Sequence, residues 1–231
     1  MAPDTHTDKV FDVELTALRD RLLEMGGKVE AAIAGSVRSL IERDSELAEK
    51  VKGQDREINR LEVEIDDMCR RLLALRQPAA SDLRFITTAL KIVVDLERMG
   101  DLAVNIAERA IQLNQSPPVK PFHDLVTLAD LSEAQLKKAL DAFVEKDVQM
   151  AEEVIQGDDL LDALYQKLFN ELLTYMMEDS RYIRRATNVM FAAKQLERFG
   201  DHAINLAEMV VYMVRGTDVR HPHSRDIQGP A

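Results

Sequence analysis

The chain has 231 residues, of which 46% are hydrophobic and 31% charged, and its formal net charge is −11 at pH 7. Such an acidic surface repels phosphate backbones and anionic lipid, which argues against nucleic-acid binding and against attachment to a membrane. The single cysteine, Cys69, excludes an intrachain disulfide and fits a reducing compartment.

Apolar residues near the N-terminus recur every three or four positions, which is typical of one face of a helix. They are Phe11, Leu15, Leu18, Leu22, Met25, Val29 and Ile33. The pattern predicts a first helix over residues 7–42. Gly26 and Gly27 lie in its middle, where each costs about 1 kcal/mol of helix stability, so we expect close packing or a bend there.

A second helix is predicted from Asp44 or Ser45, either of which can cap it, to residue 76, where Gln77-Pro78 stops it. A third helix follows to residue 114. The sequence NQSPPVKP then places three prolines in eight residues, which marks a boundary. Three further helices are predicted beyond it, over residues 122–145, 147–177 and 180–215.

Short turns between these helices predict antiparallel packing of neighbours. The sequence therefore predicts an all-α fold of two tandem, pseudo-symmetric three-helix bundles with six long helices. The first bundle spans residues 7–116 and the second residues 117–216. Residues 217–231 have no periodicity and are predicted to form a mobile tail.

The motif L-E-R-x-G-D-x-A-x-N-x-A-E occurs twice, at residues 96–108 and 196–208, which indicates a duplicated unit. At 100° per residue, the motif places its polar side chains on one face of the third and sixth helices. These side chains are Glu97, Asp101, Asn105 and Glu108 in the first copy, and Glu197, Asp201, Asn205 and Glu208 in the second. Carboxylates on successive turns repel each other, and a hard cation is one way to offset that repulsion.

The second and fifth helices carry a similar pattern. The second has Asp55, Asn59, Glu62 and Asp66 on one face, and the fifth has Asp158 and Asp162. The candidate metal ligands are therefore Asp55, Asn59, Glu97 and Asp101 in the first bundle, and Asp158, Asp162, Glu197 and Asp201 in the second. The alternative is a solvated acidic face that Arg98 and Arg198 neutralise.

Other residues suggest structural roles. Gly100 and Gly200, in the middle of their helices, favour a tight helix crossing, and His202 lies off the acidic stripe, which favours a surface or interface position. Arginines near helix ends either interact with the helix dipole or form a docking patch for an acidic partner; they are Arg70, Arg71, Arg76, Arg181, Arg184 and Arg185. No Glu-x-x-His, His-Glu-x-x-His, P-loop or Rossmann glycine motif occurs, so we expect no enzyme activity.

Several long segments closely resemble the PhoU family of phosphate-specific transport system accessory proteins. They are Met25-Gly26-Gly27, RQPAASDLR at 76–84, LLTYMMEDSRYI at 172–183 and both copies of the duplicated motif. The resemblance implies a cytoplasmic, homodimeric negative regulator of phosphate uptake and of phosphate-starvation signalling. Its implied partners are the sensor histidine kinase of the phosphate regulon and the ATPase subunit of the phosphate ABC transporter.

Some members of this family bind iron or zinc clusters through Glu/Asp-x-x-x-Asp motifs. In this chain those motifs fall on Glu97/Asp101 and Glu197/Asp201. They would face Asp55/Asn59 and Asp158/Asp162. Asn59 departs from the carboxylate pattern, so stronger metal binding is expected in the second bundle.

Three classes of function stay open on the sequence. A regulatory interaction protein fits the acidic helical bundle and the missing catalytic motifs. A metal-binding bundle with a carboxylate-cluster storage or enzymatic role would need nitrogen ligands or a water-excluding pocket. A purely structural helical adaptor would not need stacked carboxylates in both halves. The N-terminal residues also lack the features of a signal peptide, which favours a cytoplasmic location.

Overall fold

The computed structural model describes residues 5–117, 123–217 and 219. Within these residues it contains seven α-helices, one short 3-10 helix and no strand. The α-helices are α1 (Thr5–Ile41), α2 (Ser45–Arg76), α3 (Ala80–Asn114), α4 (His123–Glu145), α5 (Val148–Gln156), α6 (Asp158–Glu178) and α7 (Ile183–Arg215), with the 3-10 helix at Ser180–Tyr182. The predicted all-α fold is confirmed.

The six predicted long helices are present, but the fifth is interrupted at Gly157. This residue ends α5 with its N–H donating to the carbonyl of Val154 at 3.0 Å, and α6 begins immediately after it. Glycine has low helix propensity, and the sequence pattern on either side of it still reads as one helical face. The predicted mobile tail lies outside the described residues except for Thr217 and Val219.

The turn that precedes the second helix has the same form in both halves. Asp44 accepts from the N–H of Leu47 at 2.9 Å and so caps α2, as predicted. Asp147 caps α5 in the same way. The residue before each cap has a left-handed backbone, with φ of 60° at Arg43 and 55° at Lys146. The duplication therefore extends to the turns, here with an offset of 103 residues rather than 100.

The helices form two groups that pack against each other. Helices α1, α2 and α3 pack together, α4 to α7 form the second group, and the groups meet mainly along α3 and α7. Arg84 lies beside Met213 at one end of that contact and Arg109 beside Phe191 at the other, so α3 and α7 run antiparallel. Buried residues of both groups form one continuous hydrophobic core.

Gly26 allows α1 to approach α4. A Cβ atom on Gly26 would lie 2.6 Å from Cδ1 of Leu140, whereas a Cβ on Gly27 would meet nothing within 4 Å. The close-packing interpretation of this glycine pair is therefore confirmed for Gly26 and does not apply to Gly27.

The neighbouring glycines provide a matched pair for a stability test. We expect Gly27→Ala to raise the free energy of unfolding by about 1 kcal/mol, because alanine favours the helix and its methyl group meets open space. Gly26→Ala should gain less or lose stability, because Leu140 must move. Urea unfolding of both variants measures the difference, and equal stabilisation would contradict the assigned α1–α4 contact.

Candidate functional site

The first acidic face brings the four predicted residues of the first bundle together from α2 and α3. Burial raises the pKa of Glu97, and the charge of Asp101 on the next turn raises it further. Burial also raises the pKa of Asp55, with added repulsion from Asp101 across the gap between the helices. Glu62 contributes to the repulsion on Glu97. These carboxylates therefore lie close enough to repel one another.

Hydrogen bonds and ion pairs satisfy only part of this first face. Asn59 donates from Nδ2 to Oδ2 of Asp55 at 2.9 Å, so it acts here as a donor to its neighbour. Arg98 lies 3.5 Å from Glu97 and 3.3 Å from Asp101, as predicted. Oδ1 of Asp55 is buried and accepts no hydrogen bond from any described residue.

The second acidic face gathers the four predicted residues of the second bundle from α6 and α7. Burial is the largest cause that raises the pKa of Asp158, followed by the charge of Asp162. Burial likewise raises the pKa of Asp201, followed by the charges of Glu197 and Asp158. Both faces therefore combine burial with repulsion between carboxylates, but the second has Asp162 where the first has the uncharged Asn59.

The neutralising cation of the second face is not the predicted one. Lys194 lies 2.5 Å from Oε1 of Glu197, whereas Arg198 makes no ion pair within the described part of the chain. Lys194 precedes Glu197 by three residues, which is a favourable spacing on a helix. Oε2 of the same glutamate is buried and accepts no hydrogen bond from the residues that the structure describes, and the side chain is only 12% exposed.

A glycine at the centre of each motif sets the distance between the two helices of each face. A Cβ on Gly100 would lie 3.1 Å from Ile58 of α2, and a Cβ on Gly200 would lie 3.0 Å from Leu161 of α6. The predicted tight crossings are thus present in both halves. They hold the carboxylates of neighbouring helices side by side, so the glycines support the faces without contributing to their charge.

The asparagines of the motif do not belong to the acidic faces, and that part of the predicted stripe is wrong. Asn105 donates to Oε1 of Gln195 at 3.5 Å, and Asn205 donates to Oδ1 of Asp95 at 3.4 Å. Both bonds cross between α3 and α7. Each asparagine lies 80° around its helix from the glutamate of the same motif, near the edge of the stripe. At that edge it contacts the opposite bundle instead of the carboxylates.

Asp95 and His202 form the closest polar contact between the bundles. Nδ1 of His202 lies 2.7 Å from Oδ1 of Asp95, and both side chains are mostly buried. The interface position expected for His202 is confirmed, but its partner was not predicted. Alignment of the repeats pairs Asp95 with Gln195, so a polar residue at this position in both copies was the available signal.

The acidic faces supply oxygen ligands only, which suits hard cations such as Mg²⁺, Mn²⁺ or ferric iron better than zinc. Among the described residues, no three His, Cys, Asp or Glu side chains are placed to enclose a metal ion. The faces are open acidic surfaces rather than closed cages. As placed, they can attract cations or basic side chains of a partner.

Comparison with known proteins points to one family. The family model of the PhoU domain matches residues 22–110 and, a second time, residues 125–210. The phosphate-specific transport system accessory protein PhoU homolog of Pseudomonas putida is 48% identical over 219 residues, which are 94% of this chain and 85% of that protein. The homolog of the same name from Rhizobium meliloti is 42% identical over 96% of this chain and 94% of its own length.

Solved structures agree in both sequence and fold. The crystal structure of PhoU from Pseudomonas aeruginosa has a TM-score of 0.86 and 46% identity, and the match covers 90% of this chain and all of that one. The phosphate transport system regulatory protein PhoU from Streptococcus pneumoniae has a TM-score of 0.85 and 33% identity, over 91% of this chain and 100% of that one. None of the helices in the described regions is long and apolar enough to span a membrane.

Proposed function

The chain belongs to the PhoU family, and from that premise we propose that it is an accessory protein of phosphate transport that negatively regulates phosphate uptake and phosphate-starvation signalling. It acts in the cytoplasm by binding other proteins. Its partners are the ATPase subunit of a phosphate ABC transporter and the sensor histidine kinase of the phosphate regulon.

The observation that carries this proposal is the presence of one acidic face on each bundle. Each face presents carboxylates with raised pKa values, held close by a glycine crossing. Negative surfaces select partners with positive surfaces and speed their encounter. Two such faces on one chain allow it to contact a transporter component and a kinase at different sites.

Direct binding measurements test the proposal. The full chain should bind the purified ATPase subunit and the cytoplasmic region of the kinase, with affinity that falls as salt rises. Glu97→Ala/Glu197→Ala should weaken binding to at least one partner by about tenfold or more, as expected for lost charge-assisted contacts. Glu145→Ala/Glu178→Ala removes the same charge from exposed helix ends outside both faces and should bind like the parent. Unchanged binding by the first variant would contradict the role of the faces.

Metal binding by the same faces is a second candidate function. The observation that favours it is one buried carboxylate oxygen without a donor in each face, on Asp55 and on Glu197. Buried polar atoms are normally satisfied, and an ion or a water can satisfy these.

Calorimetric titration with Mn²⁺ and ferric iron tests this candidate. We expect Asp201→Ala to lose more binding than Asp101→Ala, because the second face has a carboxylate, Asp162, where the first has Asn59. Equal binding by the parent and both variants would remove the metal hypothesis.

The free energy of unfolding, measured without and with metal, gives a second test of metal binding. The pKa of Asp201 is raised by folding, so its charged form opposes folding above that pKa. Without metal, Asp201→Asn should therefore stabilise the protein at neutral pH, and the gain should disappear as the pH falls below the ordinary pKa of aspartate. With metal present the sign should reverse, because the ligand stabilises only the parent face.

Homodimer formation stays a prediction. A measurement of the molecular mass of the protein in solution tests it.

A further inference from the structure

A cleft of about 470 Å³ lies where the two bundles meet, away from both acidic faces. It is formed by α1, the first turn of α3, the turn between α4 and α5, and the end of α7. Because both bundles contribute, a ligand in this cleft would touch both at once.

Three cations from three different elements line this cleft. They are Arg19, Arg84 and Lys146, and none of them forms an ion pair within the residues that the structure describes. Nε of Arg19 is buried and has no hydrogen-bond partner, and its guanidinium lies 5.5 Å from the ring centre of Phe85. An aromatic ring orients an arginine but does not neutralise its charge. The charge of Arg19 is therefore not neutralised within the described residues, and this side chain forms part of the cleft wall.

The other two cations are also positioned by the backbone. Arg84 donates from Nε to the carbonyl of Met213 at 3.3 Å, which ties α3 to α7 and leaves its terminal nitrogens for a further acceptor. Lys146 occupies the left-handed position of the α4–α5 turn. Its counterpart Arg43 in the first bundle donates to the carbonyls of Asn114 and Ser116, whereas the ammonium group of Lys146 donates to no acceptor in the described regions.

The start of α3 adds a fourth attraction for anions. Ala79 is the N-cap residue and provides no side-chain acceptor, so the N–H groups of the first turn are uncapped. The N-terminal end of a helix carries a partial positive charge, and its free N–H groups bind phosphate-like oxygens well. Ser81 and Asp82 place this first turn in the wall of the cleft.

We propose that this cleft binds the phosphoryl group of a small phosphorylated molecule of about nucleotide size. Arg19, Arg84 and Lys146 hold the phosphoryl oxygens, as arginines do in charge-assisted bidentate contacts. The volume exceeds that of a phosphate ion and lies in the range of small-molecule sites. The apolar side chains of Leu15, Phe85 and Val214 contact the organic part of the ligand.

The two acidic side chains of the lining limit which ligands fit. Asp12 and Asp82 oppose a ligand that is anionic along its whole length. They instead accept hydrogen bonds from ribose hydroxyl or base amino groups, which a nucleotide offers at a distance from its phosphoryl group and inorganic phosphate does not. Hence the cleft should prefer a nucleoside monophosphate to inorganic phosphate, and both to an uncharged nucleoside.

Calorimetric titration of the full chain at low salt tests this site, with adenosine monophosphate, inorganic phosphate and adenosine as the three probes. We expect adenosine monophosphate to bind most tightly and inorganic phosphate more weakly, and we expect no detectable heat from adenosine. Arg84→Gln and Lys146→Gln should each weaken nucleotide binding by about tenfold or more. Lys146 is exposed, and its side chain makes no hydrogen bond or ion pair within the described residues, so this variant remains informative if Arg84→Gln unfolds.

Arg184→Gln is the matched control, since Arg184 is the exposed repeat counterpart of Arg84 and lies outside the cleft. It should change nucleotide affinity by no more than about twofold, because it removes only a screened surface charge. No binding of either anion at millimolar concentration would overturn the proposal. Equal losses in Lys146→Gln and Arg184→Gln would also overturn it, since they would show nonspecific attraction. The outcome does not depend on the proposed regulatory function.

Discussion

Glu97→Ala/Glu197→Ala is expected to relieve repression of the phosphate-starvation response in cells grown in high phosphate. The two substitutions remove one carboxylate from each acidic face while leaving the glycine crossings and the core intact. Each glutamate is mostly buried among like charges, so its removal relieves repulsion while it also removes an ion pair with Arg98 or Lys194. These two effects oppose each other, so we expect little change in stability. A reporter of the starvation response should approach the activity seen in cells that lack the protein.

The comparison is valid only at equal protein level, which an immunoblot establishes. Glu145→Ala/Glu178→Ala should keep full repression, since those residues lie at exposed helix ends. Normal repression by Glu97→Ala/Glu197→Ala would show that the acidic faces are not the regulatory surface. The helix ends that carry Arg181 and Arg185 would then be the alternative regulatory surface.

Phe199→Ala is expected to lower the free energy of unfolding by about 3–5 kcal/mol, because it empties a fully buried aromatic position in α7. For a chain of this length that corresponds to a fall of about 10 °C in Tm. Phe191→Ala is the matched control on the same helix. Phe191 is 41% exposed and lies against Arg109, so its loss should cost about 1 kcal/mol.

The same variant tests whether the bundles unfold together. Buried residues of both bundles form one core, and Asp95 and His202 connect α3 to α7 at the centre of the contact. We therefore expect Phe199→Ala to shift one cooperative transition that includes both bundles. Two separate calorimetric transitions, with only one shifted by the substitution, would show that the bundles are independent.

Much of this fold could be predicted from the sequence because it depends on local signals. The helical periodicity of α1, the cap at Asp44 and the proline-rich boundary each act within a few residues. The duplicated motif adds a relation between halves, and it correctly paired α3 with α7 as equivalents. The pairing of Glu97 with Asp101 also followed, since residues four apart share a helix face. Their placement opposite Asp55 was implied by the family resemblance, and the repulsion between Asp55 and Asp101 agrees with it.

What could not be predicted depends on how the halves pack. The antiparallel contact of α3 with α7 takes Asn105 and Asn205 away from the acidic stripe, and periodicity within one helix contains no information about that contact. Arg98 and Lys194 neutralise equivalent faces from positions that the repeat does not match. The cleft at Arg19 and Arg84 joins segments far apart in the chain, so no single motif indicated it.

The interruption at Gly157 has an electrostatic consequence for the second face. Because α6 begins at Asp158, the first two carboxylates of that helix lie in its first turn, where the peptide dipoles favour negative charge. Asp55 lies in the interior of the continuous helix α2 and has no such compensation. The helix dipole therefore offsets part of the burial and repulsion that raise the pKa of Asp158, whereas Asp55 has no such offset. The helix boundary at Gly157 thus gives the two repeats different capacities to hold charge.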